Sequence, residues 1–485
     1  MDVHRLATRL RAEIGDANVL TDRAQLRTYE CDGLAVYKVT PAVVVLPETT
    51  DQVRAVVRSC VKNGVPYVAR GSGTGLSGGA VPHADGVLIV TSKLREILEV
   101  DPDNQRAVLE PGVINLDVTR AAAPHGYYYA PDPSSQQICS IGGNVAENSG
   151  GAHCLKYGFT TNHVMGVRLV SPDGELVDLG GKAPDPPGYD LLGAFVGSEG
   201  TLGIATEVTV RLMRAPESVR TLLAAFGSTD DAGAAVSAII GAGVIPAAIE
   251  MMDALAIEAA EAAVQCDYPQ GAGAVLIVEL DGPASEVEEE FDAVEQHCNT
   301  AKAFEIRIAA DDAERARFWK GRRSAFAAVG RISPDYIVQD GVIPRTALPE
   351  VLRRMGELSA ERGIRVANVF HAGDGNLHPL VLFDDAVEGE TEKAEELSGA
   401  ILDLCIEYGG SITGEHGVGM DKARHMPRMY TDDDLDTMQL LRCAFDPGHL
   451  SNPGKVFPTP RLCGEVPGRH RGSHPLQEQG LAEVF

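Results

Sequence analysis

A glycine-dense loop between two predicted strands constrains the fold more than any other segment of this sequence. Gly73, Gly75 and Gly78 fit the pattern Gly-x-Gly-x-x-Gly directly after a predicted strand at residues 66–69. In a dinucleotide-binding Rossmann fold, such a loop opens a helix whose N-terminus faces the pyrophosphate. Here Pro82 follows the loop and the next predicted strand begins at Val87, which leaves no room for a helix. The sequence therefore excludes a Rossmann fold, although glycine-rich backbone can still present N–H groups to a phosphate.

Two further glycine-rich segments, residues 141–151 and 197–203, indicate that this loop is not an isolated turn. One such segment alone would most simply be a tight turn. Three in the same half of the chain favour a large cofactor that carries phosphate. We expect a strand at residues 42–46, a helix at residues 50–63 and a long functional loop region at residues 132–158.

The chain has 485 residues, which is too long for one ordinary hydrophobic core. We expect a helical lead-in at residues 1–40 and a first domain at residues 41–215. A second α+β domain at residues 216–440 is predicted by strands that alternate with amphipathic helices. Residues 441–457 are expected to return to the first domain, and the polar residues 458–485 to form a disordered tail.

Charge limits the possible partners. The formal net charge is −27, from 42 Lys and Arg against 69 Asp and Glu. Such a surface repels nucleic acid and anionic membranes, so an anionic substrate would need a local cationic group. The N-terminal residues lack the apolar core of a signal peptide, and no transmembrane helix is predicted. The nine scattered cysteines contain no Cys-x-x-Cys pair, which argues against an iron–sulfur cluster, a structural zinc site or a disulfide framework and favours the cytoplasm.

A second candidate site lies in the second domain. His371 and His378 flank an Asp-Gly turn between two predicted strands, so folding should bring the imidazoles side by side. Glu415 and His416 follow the next predicted helix in a Gly-Glu-His-Gly segment. A single histidine would most simply be a hydrogen-bonded loop residue. Two imidazoles and a carboxylate together suit a divalent metal with an open coordination position.

The glycine segments and the Pro-Asp-Pro at residues 131–133 together resemble the FAD domain of vanillyl-alcohol-oxidase type flavoproteins. The resemblance implies that the first loop wraps the pyrophosphate and that the later segments hold the flavin. Members with covalent FAD often carry a histidine in the first loop, where this chain has Thr74, so we expect non-covalent FAD. The residues implied to bind FAD are Arg70, Gly71, Ser72, Gly73, Thr74, Gly75, Leu76, Ser77, Pro131, Gly142, Gly143, Asn144, Asn148, Ser149, Gly150, Glu199, Gly203 and Ile204.

The second half resembles the C-terminal domain of FAD-linked 2-hydroxyacid dehydrogenases. This family includes D-lactate dehydrogenase, D-2-hydroxyglutarate dehydrogenase and, most similar here, the FAD-binding subunit of bacterial glycolate oxidase. The similarity rests on residues 318–326, 329–336, 371–379 and 411–419. It implies an α+β protein with a two-part FAD-binding domain and a C-terminal α+β substrate domain that contains an antiparallel sheet.

The same resemblance implies roles for individual side chains. His371, His378 and Glu415 would bind a divalent metal, Zn or Mn, and His416 would be the general base. Arg322 would bind the substrate carboxylate in bidentate geometry, which supplies the cationic group that an acidic chain requires.

Departures from the hydroxyglutarate branch narrow the substrate. That branch has an asparagine two residues after the second histidine and a lysine before the strand that leads to Pro344; this chain has Leu380 and Val338-Gln339 there. A second carboxylate would lack a partner, so we expect a short monocarboxylate. Arg323 is interpreted as a surface residue of the helix that carries Arg322.

The implied reaction is the oxidation of glycolate or D-lactate to the 2-oxo acid, with hydride transfer from the substrate Cα to flavin N5. The electrons would then pass to a separate acceptor such as an iron–sulfur subunit, through which the protein could attach peripherally to the inner membrane. Two alternatives remain: a zinc hydrolase, which leaves the glycine segments unexplained, and a non-catalytic subunit that retains the fold.

Overall fold

The computed structural model describes residues 3–183 and 187–458. The predicted disordered tail lies outside the described residues except for Pro458. The strands of the first half are β1 Val19–Leu20, β2 Val43–Val45, β3 Tyr67–Arg70, β4 Val87–Val90, β5 Ile97–Asp101, β6 Arg106–Leu109, β7 Tyr127–Tyr128, β8 Val164–Val170, β9 Leu176–Gly180, β10 Ile204–Arg211 and β11 Met213–Arg214. The helices of this half are α1 Val3–Ile14, α2 Arg23–Arg27, α3 Thr50–Asn63, α4 Asn115–Ala122, α5 Ile141–Glu147, α6 Cys154–Tyr157, α7 Thr160–His163 and α8 Leu191–Phe195.

The first half contains two main sheets. One has the order β1-β2-β4-β3, with β2 and β3 both parallel to β4; the other is antiparallel with the order β5-β6-β10-β8-β9. Strand β2 consists of three buried valines, as expected for a parallel sheet that is covered on both faces. Helix α3 begins after Thr49, whose hydroxyl accepts a hydrogen bond from the Gln52 N–H, and ends at Gly64 in the left-handed conformation. The predicted bounds of β2 and α3 agree with the structure to within one residue.

Two predictions for this half need correction. Residues 141–147 form helix α5 within the region that was predicted to be a loop. Two consecutive glycines weaken helix propensity there, but Ile141 and Val145 are almost fully buried, so packing overrides the local preference. The lead-in before residue 41 is not purely helical either, because β1 pairs with β2 at the edge of the four-stranded sheet.

The strands of the second half are β12 Ser218–Phe226, β13 Ala248–Asp253, β14 Ala274–Gly282, β15 Glu305–Ile308, β16 Asp335–Val338, β17 Gly341–Val342, β18 Arg365–His371, β19 Asn376–Leu377 and β20 Pro379–Phe383. The helices are α9 Thr229–Gly241, α10 Ala254–Val264, α11 Ala284–Thr300, α12 Asp312–Ala328, α13 Leu348–Arg362, α14 Glu390–Glu407, α15 Met426–Met429 and α16 Asp432–Phe445. Short 3-10 helices span Asp16–Asn18, Thr91–Lys93, Ala123–His125, Val329–Arg331, Arg345–Ala347 and Ala423–His425.

These strands form one antiparallel sheet with a core on each face. Its order is β15-β12-β14-β13-β18-β19-β17, and β20 pairs with both β18 and β16. Along β13, Ile249 and Met251 belong to a cluster with α9, α11, α13 and α14, whereas Ala248 and Met252 belong to a cluster with α10 and α12. Because side chains alternate between the faces of a strand, the charged Glu250 of β13 faces α10 and α12.

The chain returns to the first domain after α16. The Tyr67 N–H donates to the Leu450 carbonyl, and the Asn452 N–H donates to the Tyr67 carbonyl. The Lys455 ammonium donates to the Val81 carbonyl at 2.7 Å. This segment therefore closes over the edge of the four-stranded sheet.

In the part of the chain that the structure describes, no helix is long and apolar enough to cross a bilayer. Cys31, Cys60, Cys139, Cys154, Cys266, Cys298 and Cys405 are free.

Candidate active site

A cavity of about 860 Å³ is lined by residues of both domains. The three glycine-rich segments form one part of its wall, and Phe326, Tyr336, Glu415 and His416 form part of the wall contributed by the second domain. The predicted FAD-binding residues on this wall are Arg70, Gly71, Ser72, Gly73, Thr74, Gly75, Leu76, Gly142, Gly143, Asn144, Ser149, Glu199, Gly203 and Ile204.

The other four residues predicted to bind FAD hold the surrounding loops. The Ser77 carbonyl accepts from the N–H groups of Met420 and Asp421, and the Pro131 carbonyl accepts from Asn115 Nδ2 at 3.1 Å. Asn148 ends α5 in the left-handed conformation. A Cβ on Gly150 would lie 2.6 Å from Glu415 Oε2, so this glycine permits the first domain to approach the predicted metal site.

The first glycine loop is packed against its neighbours. A side chain on Gly71 would collide with the hydroxyl of Ser140, which directly precedes the second glycine segment. Gly73 has φ of 71° and lies against the Arg70 guanidinium, which itself donates to the Cys31 carbonyl at 2.6 Å. Residues 71–86 contain no helix, in agreement with the exclusion of a Rossmann fold.

The predicted metal ligands lie together. Strand β18 ends at His371, which pairs with Asn376 of β19 across a tight turn, and His378 follows β19. The two imidazole centroids are 5.1 Å apart. Glu415 Oε1 lies 3.4 Å from His371 Nε2 and 3.0 Å from His378 Nε2. One potential ligand atom from each of these residues lies within 4.8 Å of the others.

The donor set fits a divalent metal. All three side chains are buried, and within the described residues His371 Nε2 and Glu415 Oε2 have no hydrogen-bond partner of good geometry. Burial acts to raise the pKa of Glu415, but the adjacent imidazoles of His371 and His378 hold this pKa well below its usual value. A buried, ionised carboxylate beside two imidazoles is the kind of cluster that a cation stabilises.

A second grouping, Asp340 with His378 and His416, is chemically different. The Asp340 carboxylate accepts hydrogen bonds from the backbone N–H groups of Gly414, Glu415 and His416 and lies 3.2 Å from the Lys422 ammonium. This carboxylate is fully buried and already surrounded by donors, so it organises the loop and is a poor metal ligand.

His416 lines the cavity and lies beside two of the predicted metal ligands. Its ring stacks on His378 with centroids 4.9 Å apart, and its Nε2 is 3.8 Å from Glu415 Oε1. Burial lowers the pKa of His416 to about 4, which leaves the imidazole neutral at ordinary pH and able to accept a proton. The loop is also anchored from the first domain, because Glu199 accepts the Val418 and Gly419 N–H groups, each at 2.7 Å.

The two arginines of α12 differ in their environments. Arg322 is buried, and its Nε donates to Glu250 Oε2 at 2.6 Å. Its buried Nη2 has no hydrogen-bond partner in residues 3–183 and 187–458. Arg323, interpreted from the sequence as a surface residue, is exposed and lines the cavity, whereas Arg322 is not among the lining residues. The Arg323 guanidinium lies 5.4 Å from the centre of the Trp319 ring.

Sequence reasoning did not identify two carboxylates at this site. Glu250 Oε1 accepts from His371 Nδ1 at 2.7 Å, and Asp340 Oδ1 lies 3.8 Å from His378 Nδ1. Burial acts to raise the pKa of Glu250, but Arg322 and His371 outweigh it and hold this pKa below its usual value. The available signal was an acidic residue within an otherwise apolar buried strand, Ala248–Met252.

Comparison with known families agrees with this arrangement. The chain matches the FAD binding domain family over residues 41–180 and the FAD linked oxidases, C-terminal domain family over residues 215–456. The chain therefore belongs to the FAD-linked oxidases and is an FAD-dependent oxidase with a fold of the vanillyl-alcohol-oxidase type.

Individual relatives align along most of the chain. Glycolate oxidase subunit GlcD of Escherichia coli (strain K12) is 51% identical over 461 residues, which cover 95% of this chain and 92% of the relative. GlcD of Bacillus subtilis is 40% identical, with coverage of 91% and 94%. D-lactate dehydrogenase of Anaerostipes hadrus is 33% identical, with coverage of 92% and 95%.

Solved structures show the same fold at low sequence identity. 4-Ethylphenol oxidase from Gulosibacter chungangensis superposes with a TM-score of 0.78 at 19% identity, covering 94% of this chain and 97% of that chain. p-Cresol methylhydroxylase gives a TM-score of 0.77 at 16% identity, with coverage of 93% and 96%. At such identities the likeness concerns the fold alone.

Proposed function

We propose that the protein oxidises a small D-2-hydroxy monocarboxylate, glycolate or D-lactate, to the corresponding 2-oxo acid. The observation that carries this proposal is the single cavity whose wall includes both the glycine segments and the Glu415-His416 pair. The names of the similar proteins, glycolate oxidase subunits and D-lactate dehydrogenases, support the substrate class. Oxidation removes the Cα hydrogen with its electron pair and the hydroxyl proton, so it requires an electron acceptor and a base.

Two bound groups complete the proposed site. FAD is held non-covalently along the glycine segments, since Thr74 stands where members with covalent FAD often have a histidine. A divalent ion, Zn or Mn, is held by His371, His378 and Glu415, whose unsatisfied donor atoms suit it. When bound, the flavin accepts the hydride, and the metal lowers the pKa of the substrate hydroxyl.

Side chains of the protein itself bind the substrate, accept its proton and position the His416 loop. Nη2 of Arg322, which has no hydrogen-bond partner among the described residues, binds the substrate carboxylate. His416, neutral and buried beside Glu415, takes the hydroxyl proton as general base. Asp340 and Glu199 keep the His416 loop in place through its backbone N–H groups.

We propose that a short substrate is preferred. Val338 lines the cavity and Leu380 is fully buried, so neither offers a partner for a second carboxylate. Arg323 also lines the cavity, but its side chain is exposed to water, which screens its charge.

We further propose that the reduced flavin passes its electrons to a separate acceptor. The similar glycolate oxidase proteins are named as subunits, which supports a companion protein, and an iron–sulfur subunit is our proposed partner. The protein would then act in the cytoplasm, with peripheral attachment to the inner membrane through such partners.

The proposal is tested by removing the metal and the base separately. Chelation, His371→Ala and Glu415→Ala should each abolish flavin reduction by glycolate or D-lactate while FAD stays bound, because the pyrophosphate loop lies in the other domain. His416→Ala should retain the metal and lose the reaction.

His163→Asn is a matched control, since His163 is also a buried histidine but bonds only to the Tyr157 carbonyl among its described contacts. It should keep both metal and activity. A verified metal-free protein that still reduces its flavin at the full rate would contradict the metal role.

A further inference from the structure

Glu250 occupies a central position between the predicted metal site and the predicted substrate-binding arginine. It lies in β13 directly opposite His371 of β18, so both side chains emerge on the same face of the sheet. Its side chain is 1% exposed. One carboxylate oxygen accepts from His371 Nδ1 at 2.7 Å and the other accepts from Arg322 Nε at 2.6 Å.

We propose that Glu250 is a positioning residue that aligns the metal ligand His371 with the substrate-binding Arg322 through its two carboxylate oxygens. The inference deepens the proposed function and rests on it. Glu250 itself touches neither substrate nor metal; it acts through the two side chains that do.

Glu250 fixes the tautomer of His371. A carboxylate only accepts hydrogen bonds, so its contact with Nδ1 requires the proton to reside on Nδ1. Nε2 then keeps its lone pair, and this is the ring nitrogen that faces Glu415 Oε1 at 3.4 Å. A histidine that ligates a metal commonly donates its other N–H to a carboxylate, which fixes the ring and increases its basicity as a ligand.

Glu250 also restrains the guanidinium of Arg322. Because Nε is engaged by Glu250, the planar group cannot rotate freely about its long side chain. Its buried Nη2 keeps its hydrogens for a ligand, since the described residues leave this nitrogen without a partner. The carboxyl group of Glu250 therefore sets the distance between His371 and Arg322. A substrate that binds both the metal and Arg322 requires this distance to be fixed.

Asp340 does not duplicate this role. Its carboxylate lies 3.8 Å from His378 Nδ1, beyond hydrogen-bond distance, and its oxygens are taken by the N–H groups of the Gly414–His416 segment. Within the described residues, Glu250 is the carboxylate that bonds both a predicted metal ligand and a predicted substrate ligand.

The substitution Glu250→Gln tests the proposal because an amide has one acceptor and one donor end. If its oxygen faces Arg322, its NH2 group faces His371 Nδ1, which must then accept, and the proton moves to Nε2 where it blocks the metal. If the oxygen faces His371 instead, the NH2 group opposes the Arg322 Nε–H. One of the two partners must lose its position.

Metal affinity should be measured by competition against a chromogenic chelator on the FAD-loaded protein, together with kcat and KM for glycolate. We expect E250Q to bind Zn about 10- to 100-fold more weakly than the unsubstituted protein. At saturating metal, KM should rise while the visible spectrum of bound FAD stays unchanged. Asp253→Asn is the control: this partly buried acid lies in the same strand and bonds Asn368 of β18, but contacts neither His371 nor Arg322.

The double variant Glu250→Gln with Arg322→Met provides a second, independent test. Without the Arg322 donor, the amide oxygen is free to accept from His371, so metal affinity should recover to near that of the unsubstituted protein while the high KM persists. This variant also buries no unpaired charge, so it remains informative if E250Q alone does not fold.

The possible results distinguish a failure of the proposed function from a failure of the proposed role of Glu250. Unsubstituted protein that binds no metal contradicts the proposed function. Unsubstituted protein that binds metal, with E250Q matching the Asp253→Asn control in affinity and KM, overturns the role of Glu250. Failure of the double variant to recover metal affinity overturns the tautomer argument.

Discussion

The substitution Asp340→Asn should destabilise the loop that carries the proposed base. The Asp340 carboxylate is fully buried and accepts from the backbone N–H groups of Gly414, Glu415 and His416. It also faces the Lys422 ammonium at 3.2 Å, and that ammonium is itself fully buried. An asparagine keeps one oxygen for the neutral donors but removes the negative charge.

The expected cost follows from the buried ion pair. Removing one partner of a buried ion pair typically lowers the free energy of unfolding by roughly 3–5 kcal/mol, because the remaining charge loses its counterion. Lys422 retains its hydrogen bond to the Gly417 carbonyl, so we expect about 3 kcal/mol, at the lower end. A displacement of His416 by about 1 Å would also lower kcat on the order of 10²-fold.

The assay is urea unfolding at a fixed FAD concentration, because ligand binding contributes to apparent stability. Trp319 is the single tryptophan and reports on the second domain. The double variant Asp340→Asn with Lys422→Met should recover at least half of the lost free energy of unfolding, since it removes the unpaired charge. A loss below about 1 kcal/mol for the single variant, or no recovery in the double variant, would refute the reasoning about this pair.

Three further predictions use other parts of the site. Arg322→Ala should lower kcat/KM for glycolate by several orders of magnitude, as steady-state kinetics would show, whereas Arg323→Ala should change it by less than about tenfold, because only the first arginine is buried with an unpaired donor group. D-2-Hydroxyglutarate should reduce the flavin much more slowly than glycolate or D-lactate, and an equal rate would overturn the proposed preference for a monocarboxylate. Burial acts to lower the pKa of His153, but Asp132 and Glu279 raise it to about 10, above the ordinary value of about 6.5. The contribution of His153 to the free energy of unfolding should therefore be fully present below pH 6.5. It should decrease as the pH rises towards 10, by at most about 1.4 kcal/mol per pH unit. Urea unfolding as a function of pH checks this slope, which should be absent in His153→Gln.

Local signals in the sequence predicted much of the fold and part of the site. Pro82 and the short interval to Val87 were enough to exclude the helix of a Rossmann fold, and the structure has none there. The Asp-Gly turn between His371 and His378 predicted their juxtaposition, because a hairpin is a local structure. Helix α5 was missed because its two glycines weaken the helical signal that buried packing restores.

The residues that sequence reasoning missed depend on contacts between distant segments. Glu250 and His371 are 121 positions apart, and only the pairing of β13 with β18 brings them together. Asp340 is likewise defined by donors from the Gly414–His416 segment, more than 70 positions later. The apolar strand Ala248–Met252 is a local signal that Glu250 is buried, but no local pattern identifies its partners, since these are decided by the pairing of the strands.

The most direct test of the account is anaerobic mixing of purified, FAD-loaded and metal-replete protein with 2-hydroxy acids, followed by the visible absorbance of the flavin. The account predicts that glycolate and D-lactate bleach the flavin and that L-lactate does not, and that the bleaching disappears after chelation and returns when Zn or Mn is restored. A flavin that stays oxidised with glycolate and D-lactate, or one that is reduced preferentially by L-lactate or D-2-hydroxyglutarate, would contradict it.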